Sequence, residues 1–108
     1  SDAGTNLSQG QRTRIALARA LLENPTVLLL DETDANLDPR SAAILDDILE
    51  HYAGTVLIVT HRIERVARAD WVWMLDGGRL VESGPSHTLL SGNGPTASFF
   101  GTAALKAV

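Results

Sequence analysis

Three short runs in this chain place phosphate-handling side chains at the borders of apolar segments. Val27-Leu28-Leu29-Leu30 leads straight into Asp31-Glu32, and Val56-Leu57-Ile58-Val59 leads into Thr60-His61. Leu7-Ser8-Gln9-Gly10-Gln11 stands directly before the Arg- and Ala-rich run Arg12–Leu22. Asp31 suits Mg²⁺, which takes hard oxygen ligands and keeps part of its hydration shell. Glu32, one residue further out, suits a general base that polarises an attacking water. A Ser-x-Gly-Gln turn opening a helix gathers backbone N–H groups at the helix's positive end, where an anion is stabilised. There Gly10 permits close approach, and Ser8 can cap the helix or donate its hydroxyl. Each run also has a plain structural reading, as a helix cap or a solvated strand end. Their succession along one chain is what carries information.

These groups need a scaffold, and the apolar patterning supplies one. The runs bounded by Pro25 and Gly54 read as buried parallel strands over 27–31 and 55–60. Ligands of open α/β sheets bind beyond the carboxyl ends of strands, so the acids and the histidine share one sheet edge. A helix is expected over 9–23, with Ile15, Ala18 and Leu22 on its buried stripe. Asp38-Pro39 starts a second helix over 40–52, with Ile44, Leu45, Ile48, Leu49 and Tyr52 inward and Gly54 ending it. A short helix over 62–68 follows, then strands near 71–76 and 79–83 joined by a Gly77-Gly78 hairpin turn. Residues 86–91 form a final helix, and the Gly/Pro/Ser-rich stretch 92–98 reads as a linker to a weakly specified tail.

Other residues receive quieter roles. Trp71 and Trp73 alternate with Val72 and Met74, which predicts one ring in the core and the other at the surface. His51, at a helix end, is placed as a surface residue stabilised by the dipole. The helical arginines Arg12, Arg14, Arg19, Arg62, Arg65 and Arg68 are expected to solvate faces or pair with acids.

Composition sets the outer bounds. The 108 residues suffice for one modest domain, and 44% of them are hydrophobic, an ordinary share for a globular fold. A net charge of −4 gives no basic footprint for nucleic acid. The absence of cysteine excludes disulfides and thiolate metal sites. No apolar run approaches the ~18 residues that span a bilayer, and no signal peptide is visible.

In order and spacing, residues 5–90 resemble the ABC-type ATPases. Leu7–Gln11 is similar to their signature motif, Val27–Glu32 to the Walker B strand, Ala35-Asn36-Leu37-Asp38 to the D-loop, and Thr60-His61 to the switch histidine. The resemblance implies an α/β fold: the C-terminal part of a P-loop NTPase domain, with a partial parallel sheet flanked by helices plus a terminal β-hairpin. Residues 1–91 would form that part, and 92–108 a linker and tail. As implied by the resemblance, Glu32 activates the attacking water, His61 senses the γ-phosphate and Asp31 holds Mg²⁺. Leu7, Ser8, Gln9, Gly10 and Gln11 would face an ATP held by a second ATPase domain in a head-to-tail pair, and Asp38 would cross that interface. ATP and Mg²⁺ are the implied cofactors, and a transporter's transmembrane domain the implied partner. The implied location is the cytoplasmic side of the cell membrane. Glu82–Leu90 is similar to the Glu-x-Gly-x-x-x-x-Leu-Leu stretch of exporter-type domains, with His87 structural, which tilts the parent toward an exporter. A soluble ABC-type ATPase of translation or DNA repair, and a truncated non-enzymatic interaction module, are the alternatives.

Three departures from the family pattern stand out. Gln9 replaces the commonest Gly, and Thr33-Asp34 replaces the usual Pro-Thr, adding an N–H and a charge beside the expected metal site. No Gly-x-x-x-x-Gly-Lys-Ser/Thr loop occurs; Lys106 is the only lysine, and no aromatic residue precedes Tyr52 to stack on adenine. The chain therefore reads as a C-terminal piece, expected neither to bind ATP tightly nor to hydrolyse it alone. In the resembled fold the Walker A strand lies between strands 55–60 and 71–76. Its absence predicts open strand edges and self-association, strand exchange or rearrangement of the isolated piece.

Overall fold

A computed structural model of the chain describes residues 8–32 and 37–101. The chain divides after Val59 into two compact units.

The first unit runs helix α1 (Gln9–Leu22), strand β1 (Val27–Asp31), helix α2 (Pro39–Glu50) and strand β2 (Thr55–Val59). β1 and β2 pair in parallel, from Val27 opposite Thr55 to Asp31 opposite Val59. The two-residue period of a strand turns Leu28 and Leu30 inward, at 2% and 3% exposure, where they meet Leu17 of α1 and Leu45 of α2. Val27, Leu29, Leu57 and Val59 stay exposed, with Leu29 at 67%. The chain enters β1 under restraint: the Tyr52 hydroxyl donates to the Pro25 carbonyl at 2.5 Å, and the Thr55 N–H to the Thr26 carbonyl at 2.8 Å. Gly54 makes this approach possible, because a Cβ there would run into the Thr26 carbonyl and the Tyr52 ring.

The helix faces differ from expectation. Leu17 is the buried residue of α1, whereas Ile15, Ala18 and Leu22 are exposed, Leu22 at 84%. Apolar residues surround this helix (Ile15, Ala16, Leu17, Ala18, Ala20, Leu21, Leu22), so periodicity alone fits more than one stripe. In α2, Leu45 is buried as expected and Ile48, Leu49 and Tyr52 are half-buried, but Ile44 is exposed and Ala42 takes an inward place. His51 forms the C-cap of α2, and its ring Nδ1 lies 2.9 Å from the Asp47 carbonyl. That hydrogen bond, followed by the Asp47 charge, raises the imidazole pKa above its ordinary value.

The second unit contains α3 (Ile63–Arg68), β3 (Trp71–Asp76), β4 (Arg79–Pro85), α4 (Ser86–Leu90) and α5 (Pro95–Phe100). β3 and β4 form an antiparallel hairpin whose Gly77 and Gly78 both take positive φ, 58° and 76°, as a two-residue turn demands. A register shift between Met74 and Leu75 adds a bulge. Val66 and Leu90 form the core, with Ile63, Ala67, Val72 and Phe100 packed around them. The Ser86 hydroxyl donates to the Val66 carbonyl at 2.6 Å.

Two expectations are corrected here. Trp71 and Trp73 are both exposed, at 56% and 59%, because residues two apart on a strand share a face; Val72 and Met74 take the inner one. Arg65 is buried. Residues 95–100, which begin in the expected linker and run into the expected tail, are helical. Gly94 is the N-cap, Pro95 opens the helix, and the Thr96 N–H donates to Glu82 Oε1 at 2.9 Å. The fold is α/β, and the described strands form two separate two-stranded sheets, β1–β2 and β3–β4.

Candidate functional site

The carboxyl end of β1 delivers the first part of the site. Asp31 closes the strand and is exposed, one step beyond buried Leu30. Glu32 follows outside the strand, and its N–H donates to the Val59 carbonyl at 2.7 Å, extending the ladder by one bond. Its φ is 50°, in the left-handed region that costs a residue with a Cβ about 1–2 kcal/mol. Such strain persists where the surroundings over-determine it, and it clusters at functional positions. Asp31 and Glu32 together line an open cleft with Thr13, Ala16, Ala20 and Leu29. Thr13 carries no role in the sequence reading. Its hydroxyl donates to the Gln9 carbonyl at 3.0 Å, one helical turn back, a pattern common to threonines inside helices.

The donor chemistry at this edge fits Mg²⁺. An exposed aspartate beside a second carboxylate is the kind of donor by which Mg²⁺ is held next to phosphate oxygens and water. Among the described residues no three His, Cys, Asp or Glu side chains converge on one point, so these residues build no all-protein cage.

The start of α1 is a complete capping box. Ser8 Oγ accepts the Gln11 N–H at 3.1 Å, and the Ser8 N–H donates to Gln11 Oε1 at 2.9 Å. Capping and anion binding are compatible here, because a hydroxyl that accepts one bond still has its own proton to donate. The first turn of α1 holds no acidic residue to oppose an anion. Neither Ser8, Gly10, Gln11 nor Asp38 lines the Asp31–Glu32 cleft. Leu7 and Thr33–Asn36, which include most of the D-loop-like run and the Thr33-Asp34 departure, lie outside the described residues.

Asp38 is the N-cap of α2, its Oδ1 accepting the Ser41 N–H at 2.8 Å. Hydrogen bonds from Ser41, the side chain's before the backbone's, hold the Asp38 carboxyl below its ordinary pKa of 3.8. A carboxylate whose pKa is lowered on folding stabilises above its unfolded pKa and loses that contribution as pH falls through the folded value. The cap is therefore expected to be intact at neutral pH and to weaken in acid. Amide exchange at Ser41 should accelerate as pH drops below the ordinary carboxylate range, relative to amides in mid-helix. Asp38→Asn should flatten that dependence, and an acid response unchanged in Asp38→Asn would remove Asp38 as its cause.

His61 belongs to the second unit, in the link between the end of β2 and α3, and is exposed. Thr60 Oγ1 accepts the Arg62 N–H across it at 3.1 Å.

Comparison with known proteins shows what the chain is similar to. Residues 1–35 match the ABC transporter family. ABC transporter B family member 16 of Arabidopsis thaliana is 42% identical over 97% of this chain and 9% of its own length. The ATP-dependent lipid A-core flippase of Coxiella burnetii is 42% identical over 90% of this chain and 17% of its own. A bacterial Atm1-family ABC exporter, solved with ATP bound, superposes with a TM-score of 0.83 at 35% identity, over 96% of this chain and 19% of that one. The chain thus spans less than a fifth of each of these proteins. In sequence and fold the chain resembles part of an ABC-transporter domain of P-loop NTPase type. The likeness is to exporters.

Proposed function

We propose that this chain supplies the water-activating and partner-facing part of an ATP-hydrolysing domain that drives an ABC exporter. The observation that carries the reading is the β1 edge, where Asp31 and Glu32 share one cleft and Glu32 is held in a left-handed turn by Val59. Glu32 orients the attacking water and takes up its proton. Asp31 would hold Mg²⁺, which would supply positive charge against the phosphate. His61 contacts the γ-phosphate. The α1 cap, through Ser8 and Gly10 with Leu7, Gln9 and Gln11, presents donors to the ATP of a second ATPase domain, and Asp38 faces that partner. The whole assembly works against a transmembrane domain from the cytoplasmic side. Among the described residues no helix is long and apolar enough to cross a membrane. The phosphate-gripping loop comes from a segment outside these 108 residues, so the chain alone turns over no ATP. Its exposed sheet face of Val27, Leu29, Leu57 and Val59 then favours self-association of the isolated piece.

The test is complementation. The chain joined to an upstream segment carrying a Walker A loop should hydrolyse ATP in a Mg²⁺-dependent way, and the 108-residue chain should not. Turnover by the purified chain alone, or none after joining, would overturn the proposal.

A further inference from the structure

We propose that Thr60 is a positioning residue for His61, which rests on the reading of His61 as the γ-phosphate contact. β2 ends at Val59 and α3 begins at Ile63, so Thr60, His61 and Arg62 alone span the gap. A three-residue link of this kind has several backbone routes unless something closes it. The Thr60 hydroxyl does so, accepting the Arg62 N–H at 3.1 Å in a partly buried turn with His61 at its centre. Arg62 is itself anchored on its other side. It is the N-cap of α3 in an extended conformation, φ −92° and ψ 122°, without a side-chain cap. Its carbonyl accepts the N–H groups of Arg65 and Val66, each at 3.1 Å. Val66 is in the core of the unit. His61 is therefore carried on a loop fixed at Thr60 by a side chain and at Arg62 by the first turn of a packed helix. A valine at 60 would have nearly the same shape and no acceptor. A serine would keep the acceptor.

The consequence is a hydroxyl requirement that acts through the histidine. The experiment measures steady-state ATP turnover in the longer polypeptide carrying this chain, for Thr60→Val, Thr60→Ser, His61→Ala and the Thr60→Val/His61→Ala double variant. Loss of one positioning hydrogen bond should lower kcat about fivefold in Thr60→Val, with KM for ATP within about twofold. Thr60→Ser should recover to within about twofold of the parent, and the double variant should match His61→Ala alone. Hydrogen exchange on the unsubstituted 108-residue chain gives a check that needs no variant to fold: the Arg62 amide should be protected.

An unprotected Arg62 amide, an unaffected Thr60→Val, or a serine variant as slow as the valine one would each overturn the inference. So would a double variant slower than His61→Ala, because Thr60 would then act by another route. If His61→Ala alone leaves turnover unchanged, the histidine's assigned role fails first, and the role of Thr60 through it falls with it.

Discussion

Glu32→Gln is expected to lower Mg²⁺-dependent ATP turnover by about a hundred- to ten-thousandfold in the longer polypeptide, the range a positioned general base contributes. Glutamine matches glutamate in length and shape, so the left-handed turn and the bond from its N–H to the Val59 carbonyl both survive. What disappears is the acceptor for the water's proton. Affinity for ATP should hold, because the substituted group acts on the attacking water rather than on the bound nucleotide. Turnover and equilibrium binding of ATP, measured on the same preparation, therefore separate the two roles. Equal turnover for glutamate and glutamine would remove Glu32 from the chemistry. A parallel loss of binding would make it a structural residue of the cleft. Glu32→Gly is a useful companion: it relieves the positive φ while removing the carboxylate, so low turnover with an unharmed fold assigns the defect to the carboxylate.

Much of the site's address was legible because strand ends announce themselves. Val27–Asp31 and Thr55–Val59 fall where apolar runs meet polar residues, and both helix starts in the first unit carry the expected caps, Ser8 and Asp38 with Pro39, although the reciprocal bond from Gln11 was not foreseen. The left-handed turn at Glu32 was not legible. Local signals for positive φ are glycine and asparagine, and the Asp31-Glu32-Thr33 context has neither. The ladder bond from Val59, supplied by a residue far along the chain, holds that conformation. Likewise the Thr60–Arg62 turn leaves only a faint trace, a threonine two residues before an N–H that the following helix does not use.

The helix faces and the tail were obscured for separate reasons. An Ala- and Leu-rich helix such as α1 has low contrast between its sides, so the partner elements choose which stripe is buried; here Leu28 and Leu30 select Leu17. At the other end, Gly92, Gly94 and Pro95 suggest a linker by composition, yet Gly-Pro is also a helix start by position, at N-cap and N1. The Glu82 carboxylate on the Thr96 N–H helps decide between them, and that contact spans fourteen residues. Both cases are tertiary choices among local options that the sequence leaves nearly equal.

The same division between inner and outer faces makes the last expected result a comparison of neighbours. Leu30→Ala should destabilise the first unit by about 2–5 kcal/mol, the cost of emptying a well-packed leucine site. Leu29→Ala in the isolated chain should cost less than about 0.5 kcal/mol. The two residues are adjacent in β1 and lose the same atoms, but Leu30 packs against Leu17 and Leu45 while Leu29 faces outward. Whole domains are stable by only about 5–15 kcal/mol, so the larger loss should be visible as partial unfolding. Hydrogen exchange at the β1 and β2 amides reads it directly, free of signal from Trp71 and Trp73 in the other unit. Similar costs at both positions would show that the inner face is not where the packing energy resides. Repeating Leu29→Ala after the chain is joined to its upstream segment asks a second question of the same residue. A cost that rises there means the outer face of the sheet is buried in the longer polypeptide, and a cost that stays small means it remains in water.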